Sequence, residues 1–248
     1  MEGFPFLRSA IGTVVDYALP PRCPVCGVTT AQDGGFCGDC WQELEHLEAG
    51  CAQCGDPTVA GRNVGELCGA CIADPPPFDT MRAAVAYGDT SRAIALRLKY
   101  GGRVGLAKLI AGAMARQLRG LDNAVITAVP LHRLRLWRRG YNQAALIARA
   151  LADRSETRLD LALLERKRAT PYLRGMSARQ RTETVRGAFR VPEHKWSDIR
   201  GNVVVVIDDV YTSGATTRAC ARLLKQRGAA AVHIRTWARV IRGEEAAY

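Results

Sequence analysis

Two groups of residues in this 248-residue chain combine types and spacings that can do chemistry. Eight of the nine cysteines fall in four Cys-x-x-Cys pairs: Cys23 and Cys26, Cys37 and Cys40, Cys51 and Cys54, Cys68 and Cys71. Two residues between thiolates let a tight turn aim both sulfurs at one ion. Two such knuckles complete a tetrahedral four-cysteine zinc site with no open position. The spacing therefore predicts two structural zinc sites in a double zinc ribbon over residues 20–73. Consecutive pairing is the simpler assignment, and interleaved pairing satisfies the spacing as well. A disulfide framework would need an oxidising compartment, and no export signal is visible. The ninth cysteine, Cys220, lies in a later helical pattern and reads as a small buried apolar residue.

The second group is the run from Val203 to Thr217, a β-branched stretch (Val203–Ile207) followed by Asp208, Asp209, Val210, Tyr211, Thr212, Ser213, Gly214, Ala215, Thr216 and Thr217. Two adjacent carboxylates at the tip of a buried strand repel each other, and a sugar diol or a magnesium-bound substrate would offset that repulsion. The hydroxyl- and glycine-rich turn opens a helix whose free amides and dipole suit a phosphate. Strand, acid pair, turn and helix together describe a site for a phosphorylated sugar. No Gly-Lys-Thr/Ser follows, which excludes a Walker loop, and the Rossmann fingerprint is absent.

The elements that must position these residues follow from periodicity. Helical spacing runs over 92–98, 106–118, 142–151 and 216–226, with strands expected at 82–87, 124–129, 203–207 and 231–240. Alternating strands and helices predict an α/β domain with a largely parallel sheet, whose ligands bind beyond the carboxyl ends of its strands. Three consecutive prolines, Pro75–Pro77, cannot continue a helix or central strand and mark a linker over 74–79. The expected organisation is an N-terminal helical segment (1–19), the ribbon (20–73), the linker and the α/β domain (80–242).

Composition excludes disordered, collagenous and membrane-spanning classes: 48% of residues are hydrophobic, 24% are charged, and no apolar run approaches the ~20 residues of a spanning helix. A cytoplasmic protein is expected. The net charge of +11 hides an asymmetry, −8 over residues 1–80 against +19 over the rest. An acidic ribbon disfavours direct nucleic-acid contact, whereas the basic body favours anionic partners, phosphorylated metabolites or nucleic acid alike. Trp137, among Arg133, Arg135, Arg138 and Arg139, is either a stacking platform for a single-stranded base or an anchor for its loop. Lys99 reads as a partner of a helix C-terminus or a contact to an anion, His132 as a solvated loop residue, a phosphate ligand or a proton-transfer group, and Asn142 as a helix cap or part of a pyrophosphate site.

The run around Asp208 and Asp209 resembles the phosphoribosyl-pyrophosphate (PRPP) signature of type I phosphoribosyltransferases. The chain from about residue 15 to 241 resembles the ComF family, through Pro75–Asp79, Lys99-Tyr100, Val129–Arg133, Arg139–Gln143, Arg168–Pro171, Gly187–Phe189 and the signature itself. That resemblance implies a type I phosphoribosyltransferase fold, a mostly parallel sheet flanked by helices, behind the double zinc ribbon. It implies that Asp208 and Asp209 are catalytic and hold the ribose hydroxyls of PRPP, with magnesium bound mainly through the substrate. Thr212, Ser213, Gly214, Ala215, Thr216 and Thr217 would bind the 5′-phosphate, and Pro130, Leu131, His132 and Arg133 would approach the pyrophosphate. Residues 166–184 resemble the flexible loop that closes over substrate. The implied activity is transfer of ribose 5-phosphate to an unidentified nitrogen acceptor. The implied alternative is a non-catalytic role in DNA uptake, with single-stranded DNA or DNA-uptake proteins as partners. The chain departs from the family at Tyr172-Leu173 (commonly Pro-Gln), Thr184 (Asn), Tyr211 (Val) and Ser213 (Thr).

Overall fold

The computed structural model describes residues 20–31, 35–48, 50–57, 65–121, 123–171 and 175–241; the expected helical segment 1–19 and the departures at Tyr172 and Leu173 lie outside them. The cysteine-rich segment carries two five-residue helices, α1 (Gly38–Gln42) and α2 (Gly69–Ala73). Then follow β1 (Thr80–Ala86), α3 (Asp89–Tyr100), α4 (Leu106–Met114), β2 (Val125–Ala128), α5 (Arg133–Arg139), α6 (Gln143–Ser155), β3 (Arg158–Leu159) and β4 (Glu165–Arg166). The chain continues through α7 (Ala178–Val185), β5 (Phe189–Arg190), α8 (Trp196–Ile199), β6 (Val203–Tyr211), α9 (Ala215–Gln226) and β7 (Ala231–Arg239).

Five strands form one parallel sheet in the order β1-β7-β6-β2-β3, and β4 pairs with β5 in a small antiparallel ribbon. Helices cover both faces, which is why β6 reads as a continuous β-branched run. Alternation along β6 splits the core. Val204 and Val206 join Ile234, Cys220 and Leu224 on the α9 face. Val205 and Ile207 join Trp237, Ile94, Ile110 and Ile147 on the face of α3, α4 and α6.

β2 and β6 lie side by side although the chain leaves them in opposite directions across the sheet, so a crevice opens at their carboxyl ends. The last register pair is Ala128 with Ile207, after which the Val129 amide still donates to the Ile207 carbonyl (2.9 Å). Pro130 has no amide to continue the ladder. From Asp208 onward, β6 pairs only with β7, through Asp208–Thr236, Val210–Ala238 and Tyr211–Arg239. The strand expected to stop at Ile207 thus runs four residues further, and the acid pair sits within it, on an edge that β2 has vacated.

The cysteine-rich segment closes the other edge of the sheet. The Leu47 and Ala86 amides donate to Ala84 and Glu45 (3.0 and 2.8 Å), and the Met81 amide donates to the Gln53 carbonyl (2.7 Å). An open β1 edge would be a template for pairing with another chain. Among the described residues, no helix is long and apolar enough to cross a membrane. Ile110, fully buried between α4 and the sheet, reports on this core. Ile110→Ala is expected to cost about 2–5 kcal/mol, seen in urea denaturation as a lower midpoint at unchanged slope.

Candidate functional site

The cysteines gather consecutively. The sulfurs of Cys23, Cys26, Cys37 and Cys40 lie within 4.8 Å of one another, as do those of Cys51, Cys54, Cys68 and Cys71. The Cys26–Cys37 and Cys54–Cys68 separations, 3.5 and 3.7 Å, match the edge of a tetrahedron with metal–sulfur bonds of about 2.3 Å. All eight are free thiols, so the donor set fits zinc, and interleaved pairing is ruled out. The second cluster is wholly buried, whereas Cys26 of the first is exposed and Cys37 half-buried. Each cluster is docked by an arginine of the basic body. Arg97 of α3 donates to the Pro24 and Val25 carbonyls of the first knuckle, and Arg82 of β1 donates to the Ala52 carbonyl of the second (2.8 Å).

At the vacated edge of β6 the pleat sends the two carboxylates to opposite faces. Asp209 follows Val205 and Ile207 toward α3 and α6. There Lys99 Nζ approaches its Oδ2 at 3.1 Å, and Gln143 Nε2 donates to the same oxygen at 3.2 Å. Arg139 holds the other end of Gln143 by donating to its Oε1. Asp208 follows Val204 and Val206 toward α9, and its Oδ1 accepts from the Asp209 amide (2.9 Å). Burial by itself would raise Asp209, but the Lys99 ammonium holds its carboxyl below the ordinary value. Burial, reinforced by the charge of Asp209, pushes Asp208 well above it. Lys99 and Gln143 hold Asp209 directly, whereas the charges of Lys99 and Arg166 only partly offset the burial of Asp208.

Beyond the pair, Thr212, Ser213, Gly214, Ala215, Thr216 and Thr217 line a depression together with Asp208. Gly214 takes a left-handed conformation (φ +73°) at the N-terminus of α9, where a Cβ would fall 2.6 Å from Tyr211 Cζ. Thr217 Oγ1 donates to the Gly214 carbonyl (3.1 Å), and the first-turn amides of α9, like those of any helix, have no acceptor within the helix.

On the Asp209 side a cleft of about 540 Å³ opens, lined by Lys99, Tyr100, His132, Arg135, Arg139 and Thr170 among others. Of the residues after β2, His132 lines this cleft and Arg133 does not. His132 is the N-cap of α5, its Nδ1 accepting from the Leu134 amide (3.3 Å), rather than a free loop residue. Asn142 caps α6, accepting from the Ala144 amide (3.1 Å) while its Nδ2 donates to the Val129 carbonyl (3.0 Å). It thereby ties the end of β2 to the helix carrying Gln143. Pro130 and Leu131 are half-buried between these two anchors.

Lys99 lies at a helix C-terminus, as expected, and the anion it reaches is the Asp209 carboxylate, a partner the sequence did not identify. Sequence reasoning took 133–139 for loop, where the structure has the helix α5, and it missed α7, which begins within 166–184 and ends at Val185. The signal for Gln143 was present in Arg139–Gln143, one residue beyond the helix cap.

The cysteine-rich segment and the α/β domain each match a known domain family. A double zinc ribbon domain matches residues 14–72 and a phosphoribosyl transferase domain matches residues 109–248. The DNA utilization protein YhgH of Escherichia coli (strain K12) is 30% identical over 224 residues, 87% of this chain and 96% of that relative. Competence protein F of Haemophilus influenzae is 26% identical over 222 residues, 86% and 94% respectively. Among solved structures, a purine phosphoribosyltransferase from Pyrococcus horikoshii Ot3 aligns with 53% of this chain and 80% of its own, at 18% identity and a TM-score of 0.34.

The charge states of the pair can be tested through stability. A carboxyl raised by the fold loses stability as pH climbs above its unfolded value of 3.8, because ionising it is harder in the folded state. A carboxyl lowered by the fold contributes stability above 3.8 and loses it as pH falls through the folded value. Asp208→Asn is therefore expected to raise the melting temperature at pH 7 by about 2–4 °C, an increment that disappears below pH 3.8. Lys99→Met is expected to lower it at pH 7. Calorimetric scans of both variants across pH 3–8 check these signs, and a destabilised Asp208→Asn at neutral pH contradicts them.

Proposed function

Since this chain belongs to the ComF family, in which a double zinc ribbon precedes a phosphoribosyltransferase domain, we propose that it binds PRPP and transfers ribose 5-phosphate to a nitrogen nucleophile. The observation that carries this reading is the vacated edge of β6, where a strained acid pair leads directly into an amide-rich helix N-terminus.

In this reading Asp208 and Asp209 accept hydrogen bonds from the ribose 2- and 3-hydroxyls, and the 212–217 turn takes the 5′-phosphate. The anomeric carbon then faces the cleft of Lys99, His132, Arg135 and Arg139. There the C1–O bond to pyrophosphate breaks with its electron pair on the leaving group, while the acceptor nitrogen's lone pair forms the C1–N bond. The acceptor's proton leaves to solvent. The cationic lining stabilises the charge that develops on pyrophosphate. Magnesium, brought with the substrate, would add to that neutralisation, and the unsatisfied Asp208 suits a metal-bearing ligand. Arg135 donates to the Thr170 carbonyl (3.0 Å) and Arg166 to the Thr170 hydroxyl, which fixes one end of the loop that would exclude water.

A second reading rests on α5. None of its residues is buried, Trp137 is 83% exposed, and the same helix carries Arg133, Arg135, Arg138 and Arg139. The names of the YhgH and competence relatives fit a protein that handles DNA, and a bare tryptophan among arginines is a stacking platform for single-stranded bases.

Calorimetry with PRPP and Mg²⁺ tests the first reading. Saturable binding by the wild type, lost in the Asp208→Asn, Asp209→Asn double variant, is expected; a zinc-loaded, folded wild type that binds no PRPP rules the transferase out. Fluorescence titration with a single-stranded oligonucleotide tests the second. Trp137→Ala should weaken binding by about 1–3 kcal/mol if bases stack there. An unchanged affinity removes α5 as the DNA surface.

A further inference from the structure

Arg239, near the end of β7, is 2% exposed, and the proposed chemistry does not use it. Its Nη1 donates to the Cys54 carbonyl (2.6 Å), inside the second four-cysteine cluster. Its Nη2 pairs with Asp56 Oδ2 at 3.2 Å, and Asp56 is itself 1% exposed. Asp56 belongs to the same knuckle, for its carbonyl accepts from the Cys51 amide (3.0 Å). A buried guanidinium is tolerable only where such partners hold it, and a filled zinc–thiolate cluster adds negative charge on the same side.

The other face of Arg239 looks into the domain. Its guanidinium lies over the Tyr211 ring, 5.6 Å from the centroid, and Tyr211 and Arg239 are register partners across β6 and β7. The Tyr211 carbonyl also accepts from the Val240 amide (2.9 Å). Tyr211 in turn underlies the phosphate turn. Its ring occupies the space a Cβ at Gly214 would need, with Cζ and Cε2 at 2.6 and 2.9 Å from that position. Gly214 is thus the one residue that lets the turn settle on the ring, and the ring sets how far the α9 amides stand from the sheet.

We propose that Arg239 is a positioning residue for the 5′-phosphate turn, carrying the seat of the second four-cysteine cluster through Tyr211 to Gly214. The ribbon then does more than close a sheet edge: its buried half fixes one end of the substrate site. Cation, ring and turn form a contiguous packed path, and the proposal has the effect of Arg239 on the ligand run through the Tyr211 ring. The proposal rests on the ribose 5-phosphate reading of the turn.

The test separates the two ends of the ligand. Affinities for ribose 5-phosphate and for magnesium pyrophosphate are measured by calorimetry on the wild type, Arg239→Lys, Tyr211→Val and the double variant. Arg239→Lys keeps a cation beside Asp56 but withdraws the planar face from the ring. Zinc content and melting temperature show that each variant is folded. Each single variant is expected to lose about tenfold in ribose 5-phosphate affinity while pyrophosphate affinity stays at the wild-type value. The double variant should be no weaker than Tyr211→Val alone, since one path connects them.

Wild-type ribose 5-phosphate affinity in Arg239→Lys overturns the proposal, as do equal losses for both ligands or additive losses in the double variant. A wild type that binds neither ligand overturns the ribose 5-phosphate reading itself, and this proposal with it.

Discussion

Two carboxylates on consecutive residues of a buried strand impose the constraint around which this molecule is arranged. The pleat turns Asp208 and Asp209 to opposite sides of the strand, and the nearby Lys99 ammonium holds Asp209 below the ordinary range while only partly offsetting the burial of Asp208. The Asp209 side is supplied from within: Lys99 closes α3 on it and Gln143 opens α6 on it, with Arg139 fixing Gln143 from behind. On the Asp208 side the Asp209 amide and the more distant charges of Lys99 and Arg166 do not offset burial, which pushes its carboxyl well above the ordinary range. Paired acids driven to different charge states are a recurrent mark of sites that bind charged or polyhydroxylated ligands. Here the fold stores the imbalance on the side that faces the phosphate turn.

The ribbon contributes to both halves of that arrangement. Its first knuckle receives Arg97, two residues before Lys99 on the same helix, so the lysine's position depends on how α3 sits against the cysteines. Its second knuckle receives Arg82 and Arg239 from the edge strand and its neighbour. An acidic lobe is thereby held to a basic body through half-buried Arg97 and Arg82 and the buried Arg239. The two clusters differ in exposure, with Cys26 open to solvent and the second cluster sealed. Zinc held at the first would consequently be the more accessible to chelators and oxidants.

Much of this was legible beforehand because it rests on local rules. Cys-x-x-Cys spacing gave the clusters, and the β-branched run followed by two acids and a glycine-rich turn gave the β6–α9 corner. Pro130 marked where β2 must end. Tertiary relations were not legible. Lys99 follows helix-end logic at its own position, and nothing local says that the end of α3 points at a strand more than a hundred residues later. α5 was read as loop because its leucines and tryptophan face solvent, so no apolar stripe betrays a helix. The roles of Arg239 and Tyr211 depend on a parallel register that no periodicity encodes.

The electrostatic imbalance at β6 is the claim on which the site stands, and it can be observed directly. Carbon-detected NMR titration of carboxyl-labelled aspartates, in the free protein and with magnesium and PRPP, resolves the two steps of the Asp208–Asp209 pair. The expected result is widely separated steps in the free protein, one above and one below the ordinary value of 3.8, with the upper step falling when ligand is bound. Two unshifted carboxyls in the free protein, or an upper step that ligand leaves in place, would contradict it.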